Sequence, residues 1–382
     1  MDYDDSDRGR LRNQKMETEE KVNLLHQKIE VVDGQILRLL NERAEIVLEL
    51  DKMKSEIKME SYDPKQENEI LRRLILKNSG PFPREAIFPV FSEIISACRS
   101  LEVQLTVAYL GPPATHTHLA CLEHFGSSIQ SLPQESISDV FEAVEKAKAS
   151  YGMVPIENST EGVVNRTLDV LIESEVKICG EVLIRISHDL LSRSGKAEDI
   201  EKIYSHPQAL EQCRKWLRKT YPHVPLVETV STAKAAQFAS EDPKAAAIAN
   251  SFAAGIYGLK VIESQIEDYL NNYTRFLILS RETSKRTGRD KTSLLLSIPH
   301  TPGSLYQVLR PFSVKRINLT KIESRPVKGR PWEYVFFLDF EGHATDAHII
   351  ETMAELKEKV LFLKFLGSYP RSPEKEGARQ KR

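Results

Sequence analysis

The sequence predicts a multi-domain chain of α and α/β class: an all-helical, dimeric N-terminal domain, a two-lobed α/β domain, and a ferredoxin-like domain at the C-terminal side. Three observations carry this. The chain has 382 residues, well beyond the roughly 150 of a typical domain, so two or three cores are expected. Apolar residues recur at helical spacing through the first hundred positions, after which short β-branched runs alternate with helical segments. The last part reads β-α-β-β-α-β. Charged residues are 28% and hydrophobic ones 41%, with 53 Lys+Arg against 55 Asp+Glu for a net charge of −2. That is an ordinary globular balance and disfavours a disordered chain or bulk nucleic-acid binding. Cys98, Cys121, Cys179 and Cys213 lie far apart without a CxxC pair, so neither a zinc site nor a disulfide framework is expected and a reducing cytoplasm fits. The acidic start MDYDDSDRGR has no apolar core, and no stretch of about 18 apolar residues occurs. Secretion and membrane spanning are not expected.

Residues 1–19 precede the first pattern and are expected as a disordered tail; the helical domain is placed at 20–103. From Val22 the apolar positions are Val22, Leu25, Ile29, Val32, Ile36 and Leu39, then Ile46, Leu50, Met53 and Ile57, one long helix. At about 1.5 Å per residue it spans some 50 Å, longer than a small domain is wide, so its seam must meet other helices or a second chain. Asp63 reads as an N-cap, Pro64 as the first helical residue and Gln66 as the capping-box partner of a second helix closed by Asn78-Ser-Gly-Pro81. A third, roughly Arg84 to Glu102, carries Ile87, Val90, Phe91, Ile94, Ile95 and Cys98 on one stripe.

The α/β domain is placed at 104–281, with strands expected at 105–110, 129–132, 151–156, 176–188, 203–204, 226–230, 245–249, 259–263 and 274–280. Such alternation implies mainly parallel sheets, two similar half-domains and a ligand cleft between them. Residues 282–290 read as a charged linker, 291–370 as the ferredoxin-like domain, and 371–382 as a disordered tail.

Arg43 occupies a seam position where an apolar residue belongs. It reads either as the partner of a neighbouring carboxylate or, with Lys54 about three turns further along nearly the same face, as one wall of an anion pocket. Asp63, Glu67 and Glu102 read as polar groups brought to that pocket or as caps and solvated helix ends. Leu25-His-Gln-Lys-Ile, Val32-Asp33, Leu39-Leu-Asn-Glu-Arg43, Lys54, Tyr62-Asp-Pro64 and Glu67 resemble the all-helical chorismate mutases. The resemblance implies that Arg43 holds a substrate carboxylate within the chain and that Lys54 donates to the breaking ether oxygen. It makes Glu67 the acceptor for the ring hydroxyl, with Asp63 beside it, and Glu102 the last contact, a carboxyl that must be protonated to donate. Cys98 is counted with the substrate contacts. His26 and Gln66 stand where two further arginines are expected. Charge-assisted hydrogen bonds contribute about 1.5–3 kcal/mol each, so their loss lowers the rearrangement rate by roughly 10² to 10⁴. His26 as imidazolium restores part of this, with activity rising below about pH 6.5.

In the middle region Gly111-Pro112, Val154-Pro-Ile-Glu-Asn-Ser-Thr-Glu-Gly162, Ser205-His-Pro-Gln208, Ser231-Thr-Ala233 and Asn272-Tyr-Thr-Arg-Phe276 each set small polar residues at a turn. Any one reads as a helix cap, and Ser205 and Ser231 are good caps regardless of function. Five together suit a cleft for a small anion. VPIENS-x-EG, YSHPQAL-x-QC, STA-x-AA and N-x-TRF resemble prephenate dehydratase over about 105–281. The resemblance implies that Thr274 assists departure of the ring hydroxyl as carbon dioxide leaves, and that Arg275 is a carboxylate or structural anchor. Phe276 then walls the pocket, and Thr115, Asn158, Ser159, Thr160, Ser205, Ser231 and Thr232 contact substrate. In a regular strand Arg275 points to the sheet face opposite Thr274. Ala114-Thr115-His116 replaces the usual Gly-Thr-Phe, so a different loop backbone is expected. Aromatisation drives the reaction, so no metal or redox cofactor is expected; His116 and His118 lack a third ligand at sensible spacing. His206 belongs to a helix start.

Pro302-Gly-Ser-Leu-Tyr306 and Glu323-Ser-Arg-Pro326 resemble motifs of the amino-acid-binding ACT domain. Feedback by L-phenylalanine is implied, with Gly303, Ser304, Leu305, Asn318, Leu319, Glu323 and Ser324 as effector site across a subunit interface; a domain kept only for dimerisation is the other reading. Over roughly residues 20–370 the chain is similar to the bifunctional chorismate mutase–prephenate dehydratases of phenylalanine biosynthesis. The partners implied are chorismate, prephenate, L-phenylalanine and a second copy in a homodimer or larger assembly. The rivals are a dehydratase with a relic mutase domain and a two-lobed binding protein without turnover.

Overall fold

The computed structural model describes residues 5–57, 64–326 and 334–372. The first helix, α1 (Asp5–Glu56), has 52 residues and so runs about 78 Å. It begins well before Val22, so residues 5–19 of the expected tail are helical: from Arg8 to Lys21 the stretch holds no proline and is made up mostly of Arg, Lys, Glu and other strong helix formers. Its seam is uncovered. Val22, Leu25, Ile29, Val32, Ile36 and Leu39 are each 44–57% exposed. α2 (Pro64–Lys77) packs on α3 (Arg84–Arg99), which also reaches α1. α3 ends at Arg99 rather than Glu102, which sits in the turn that follows. Asp63 lies outside the described residues, as do positions 373–382 of the expected C-terminal tail.

The next region contains β1 (Thr106–Leu110), α4 (His116–Phe125), β2 (Gln130–Gln134), α5 (Ile137–Glu145), β3 (Tyr151–Asn158), β4 (Gly162–Val163), α6 (Asn165–Glu173) and β5 (Lys177–Arg185). It then passes to β6 (Asp189–Ser192), β7 (Lys202–Ser205), α7 (Pro207–Gln212), α8 (Arg214–Thr220), β8 (Leu226–Glu228), α9 (Thr232–Glu241), β9 (Ala245–Ala249), α10 (Ser251–Tyr257) and β10 (Lys260–Glu263), and returns with β11 (Tyr273–Ser280). One lobe has the strand order β2-β1-β3-β11-β5, with β4 beside β3; the other has β10-β6-β9-β7-β8. Both sheets are mixed, which corrects the expectation of mainly parallel ones: β11 is antiparallel to β3 and β5, and β6 is antiparallel to β9 and β10. The cause is the path of the chain. It leaves the first lobe after β5, and β11 re-enters that sheet from the opposite end. The strand expected at 176–188 is β5, which ends at Arg185; the chain then crosses at His188 to β6 in the other sheet, a strand that the sequence reading did not place.

β12 (Asp290–Ser297), α11 (Ser304–Val314), β13 (Leu319–Pro326), β14 (Tyr334–Glu341), α12 (Ala347–Lys357) and β15 (Phe362–Pro370) form an antiparallel sheet of order β13-β14-β12-β15, the ferredoxin-like arrangement. Phe312 and Ile349 of the two helices bury one face with Leu294, Leu296 and Phe340. The other face lies on the first lobe, where Leu295, Val335, Phe337 and Tyr369 share a core with Ile178, Leu277 and Leu279. The contact is close enough that a Cβ on Gly367 would stand 2.0 Å from the Ile178 carbonyl oxygen. Only glycine fits there. Among the described residues no helix is long and apolar enough to cross a membrane.

Candidate active sites and effector region

The register of β11 on β3 sets Thr274 opposite Asn158 and Arg275 opposite Glu157. Because strand side chains alternate, the first pair faces the cleft between the lobes and the second faces the C-terminal sheet. Asn158 Nδ2 donates to Thr274 Oγ1 at 2.8 Å and to Asn272 Oδ1 at 2.8 Å. The Asn158 Oδ1 accepts from the backbone N–H groups of Thr160 and Glu161 at 2.9 and 3.1 Å, which fixes the amide. Asn158 is the one hydrogen-bond partner of the Thr274 hydroxyl among the described residues, and it acts as donor. The hydroxyl proton of Thr274, 8% exposed, therefore remains available to a bound molecule.

From this pair a polar chain crosses to the other lobe. Asn272 Nδ2 donates to Gln212 Oε1 at 3.3 Å, Gln212 Nε2 donates to Glu161 Oε1 at 3.1 Å, and His188 Nε2 meets Gln212 Oε1 at 2.7 Å. His188 thus carries its proton on Nε2, and its buried Nδ1 has no hydrogen-bond partner among the described residues. Burial pushes the His188 imidazole below its ordinary value and takes that of His116, packed edge-on against it at 6.0 Å, down to about 4. Burial likewise raises the Glu161 carboxyl. His188 was not singled out from the sequence, and Gln212 and Asn272, though they stand in the YSHPQAL-x-QC and N-x-TRF motifs, were given no role of their own. Gln212 had a signal, standing one helical turn beyond Gln208 of the Ser-His-Pro-Gln motif.

The other expected contacts are distributed as follows. Thr115 caps α4, its Oγ1 accepting from the His118 N–H at 3.3 Å and donating to the Leu110 carbonyl at 3.2 Å. Ala114 has φ +70, a left-handed conformation that glycine adopts at less cost; Asn250 Nδ2 holds the Ala114 carbonyl from the second lobe at 3.0 Å. Ser159 Oγ accepts from the Tyr273 N–H at 2.9 Å, and Thr160 is exposed. Ser205 is not the cap of α7. Its buried hydroxyl donates to the Ile248 carbonyl at 2.7 Å, and His206 Nδ1 takes the capping position. Ser231 does cap α9, accepting from the Lys234 N–H at 3.0 Å, with Thr232 next in the helix. Phe276 lies in the core with Met153, Ile184 and Ile278. Arg275, grouped with the substrate contacts from sequence, faces away from the cleft: its Nε donates to Glu181 at 2.7 Å, Nη1 to Asp339 at 2.7 Å and Nη2 to Tyr369 Oη at 2.9 Å.

In the helical region one neighbourhood collects Arg43, Lys54, Glu67 and Glu102, with Asp51 besides. Burial, reinforced by the charges of Asp51 and Glu67 against those of Lys54 and Arg43, raises the Glu102 carboxyl above its ordinary value of 4.5. Arg43 Nη1 is buried with no hydrogen-bond partner among the described residues. Glu67 accepts from Arg99 Nη1 with its two carboxylate oxygens, at 2.9 and 3.0 Å. Arg99, one turn beyond Ile95 on the buried stripe, was missed by the sequence reading. His26 is exposed on α1 and Cys98 is buried in α3. Among the described residues no three His, Cys, Asp or Glu side chains gather as metal ligands would.

At the C-terminal sheet, Gly303 with φ +86 opens α11, and nothing lies within 4 Å of a Cβ built on it. Ser304 Oγ bonds Thr301 Oγ1 at 2.7 Å, Leu305 is 37% exposed, and Asn318 Nδ2 donates to Glu341 at 3.2 Å. Along β13 Lys321 and Arg325 turn to the first lobe, meeting Glu157 and Asp169. Alternation then places Glu323 on that face and Ser324 on the helix side, in the strand opened by Leu319. The expected effector residues are thus divided between two faces.

Residues 25–103 match the type II chorismate mutases, 107–284 prephenate dehydratase and 292–358 the ACT domain. The chain is 48% identical over 357 residues to a bifunctional chorismate mutase/prephenate dehydratase of Aquifex aeolicus, covering 92% of this chain and 99% of that one. It is 40% identical over 363 residues to one of Pseudomonas aeruginosa, covering 94% of this chain and all of that one. Among solved structures it resembles a prephenate dehydratase from Arthrobacter aurescens in complex with L-Phe, at 36% identity and TM-score 0.65, over 70% of this chain and 90% of that one.

Proposed function

The chain belongs to the bifunctional chorismate mutase/prephenate dehydratases, and from that premise we propose how its residues divide the work. It rearranges chorismate to prephenate and converts prephenate to phenylpyruvate with loss of water and carbon dioxide. In the second reaction the electron pair of the C–CO₂ bond moves into the ring and expels the ring hydroxyl. That hydroxyl needs a proton to leave as water, and Thr274 delivers it, with solvent restoring the proton to Thr274. The observation that carries this is the donor role of Asn158 toward Thr274 Oγ1, which leaves the threonine proton to the substrate. Replacing Thr274 by Ala is expected to slow prephenate turnover by about 10² to 10⁴, the usual contribution of general acid–base catalysis, while chorismate is still consumed and prephenate accumulates. Unchanged conversion of prephenate would remove the role.

For the rearrangement, Arg43 holds a carboxylate, Lys54 donates to the ether oxygen, and protonated Glu102 completes the contact, since a pericyclic step needs a held conformer and positive charge at that oxygen. The uncovered seam of α1 pairs with a second copy, which brings its His26 to the site. The C-terminal domain binds L-phenylalanine and lowers dehydratase activity, in a cytoplasmic enzyme. Feeding chorismate and prephenate separately tests the division: turnover of prephenate alone would make the helical domain a relic.

A further inference from the structure

The two sheet faces of β11 and β3 at Thr274 have different owners. Facing the cleft are Thr274 and Asn158. On the opposite face their immediate chain neighbours, Arg275 and Glu157, are cross-strand partners joined by an ion pair at 3.2 Å, and the C-terminal sheet grips both. Lys321 of β13 bonds Glu157. Asp339 of β14 and Tyr369 of β15 bond Arg275 at 2.7 and 2.9 Å, and Ser293 of β12 holds the Asp339 carboxylate at 2.6 Å and the Tyr369 hydroxyl at 2.7 Å. Lys291 reaches Glu181 at 2.8 Å, the same carboxylate that accepts from Arg275 Nε. Three cations (Arg275, Lys291, Lys321) thus face three carboxylates (Glu157, Glu181, Asp339) across the domain junction.

We propose that the cross-strand pair Glu157–Arg275 transmits the state of the C-terminal domain to Thr274, making Arg275 and Glu157 positioning residues of the dehydratase rather than substrate contacts. This rests on reading that domain as phenylalanine-binding. A charge buried in such a cluster cannot be left alone without large cost, so when the C-terminal sheet shifts, its partners follow. The ladder between β3 and β11 changes register between Arg275 and Phe276, and such an irregularity is where a strand re-aims its side chains most readily. β13, which carries Lys321, is also the strand of the Glu-Ser-Arg-Pro motif and the edge of its sheet. Movement of β13 therefore reaches Asn158, and through it the Thr274 hydroxyl, over a single peptide unit.

The test uses the full-length chain and the variants Asp339→Asn and Lys321→Met, comparing phenylalanine binding by equilibrium dialysis with inhibition of prephenate turnover. Both variants are expected to bind phenylalanine within about threefold of wild type, while the half-inhibitory concentration rises about tenfold, an ordinary coupling between sites. Without effector, kcat on prephenate is expected to change with KM unchanged, because the proton donor is re-aimed and the binding groups are not. Lys321→Arg, which keeps the charge, is expected to restore inhibition, a rescue that loss of packing alone would not give. Should Asp339→Asn unfold, seen as loss of mutase activity as well, the two Lys321 variants carry the same comparison. Variants that bind phenylalanine and are inhibited as wild type is would overturn the proposal. A wild-type chain that binds no phenylalanine would overturn the reading beneath it, and dialysis separates that result from the first.

Discussion

The side chains around Thr274 bond one another across both lobes within one chain, whereas Arg43 Nη1 in the helical region is buried with no hydrogen-bond partner among the described residues. In the cleft, Asn158, Asn272, Gln212, Glu161 and His188 bond one another from both lobes. In the helical region His26 is exposed and the apolar seam of α1 is open. Both sites must hold a dicarboxylate built on a six-membered ring, so the difference lies in who completes them. The first is preorganised by a covalent path that crosses the cleft twice. If the second is completed by pairing of α1 with another copy, as proposed above, its rate is tied to assembly in a way the dehydratase rate is not.

The sharpest way to break this comparison is to break the assembly. Ile36→Asp puts a charge on the open seam and is expected to shift the chain to a smaller species in sedimentation. It is expected to lower mutase activity by roughly three orders of magnitude, two or three charge-assisted contacts at about 1.5–3 kcal/mol each, with prephenate turnover within about twofold. Equal loss of both activities would show that the dehydratase also depends on the seam. Next in size is Arg43→Ala. It removes one such contact and is expected to slow the rearrangement by about 10- to 150-fold at unchanged oligomeric state, measured as kcat/KM on chorismate.

What could be read in advance divides along the same line. The strand bearing Thr274 was legible because Asn-x-Thr-Arg-Phe leads into the continuous apolar run Phe276-Leu-Ile-Leu279, and the period of two in a strand sends Arg275 to the face opposite Thr274. What takes hold of Arg275 there was not legible: Asp339 and Tyr369 lie 64 and 94 residues further along, on strands whose stacking against the first lobe no local pattern announces. The antiparallel insertion of β11 escaped for the same reason, since βαβ alternation reports that strands exist, not the end from which they enter a sheet. Ser205 was misread as a cap because its hydroxyl found the Ile248 carbonyl of a neighbouring strand while His206 took the helix. In the helical region periodicity gave the long helix but set its start at the first apolar residue, although propensity carries it back to Asp5. The mutase candidates could be named singly from sequence; the pairing of Glu67 with Arg99, from separate helices, could not.

The smallest expected effect sharpens the comparison through protons. Glu102 has its carboxyl raised above 4.5, first by burial and then by Asp51, and it serves the rearrangement only when protonated. A raised folded-state value means that its contribution to stability is fully present below the unfolded value and lost as pH rises through the folded one, and its catalytic contribution follows the same course. Wild-type mutase activity is therefore expected to fall as pH climbs past the Glu102 value, and Glu102→Gln, a donor at every pH, should flatten that limb of the kcat/KM profile. His188 has the opposite sign. Burial lowers its imidazole from 6.5, so the neutral form that bonds Gln212 is stable above the ordinary histidine value and its contribution is lost as pH falls through the folded one. Acidification should then favour the mutase site while loosening the dehydratase site; a Glu102→Gln enzyme is expected to keep the wild-type dehydratase profile, and one whose mutase profile also remains as in wild type would show that the Glu102 carboxyl does not set it.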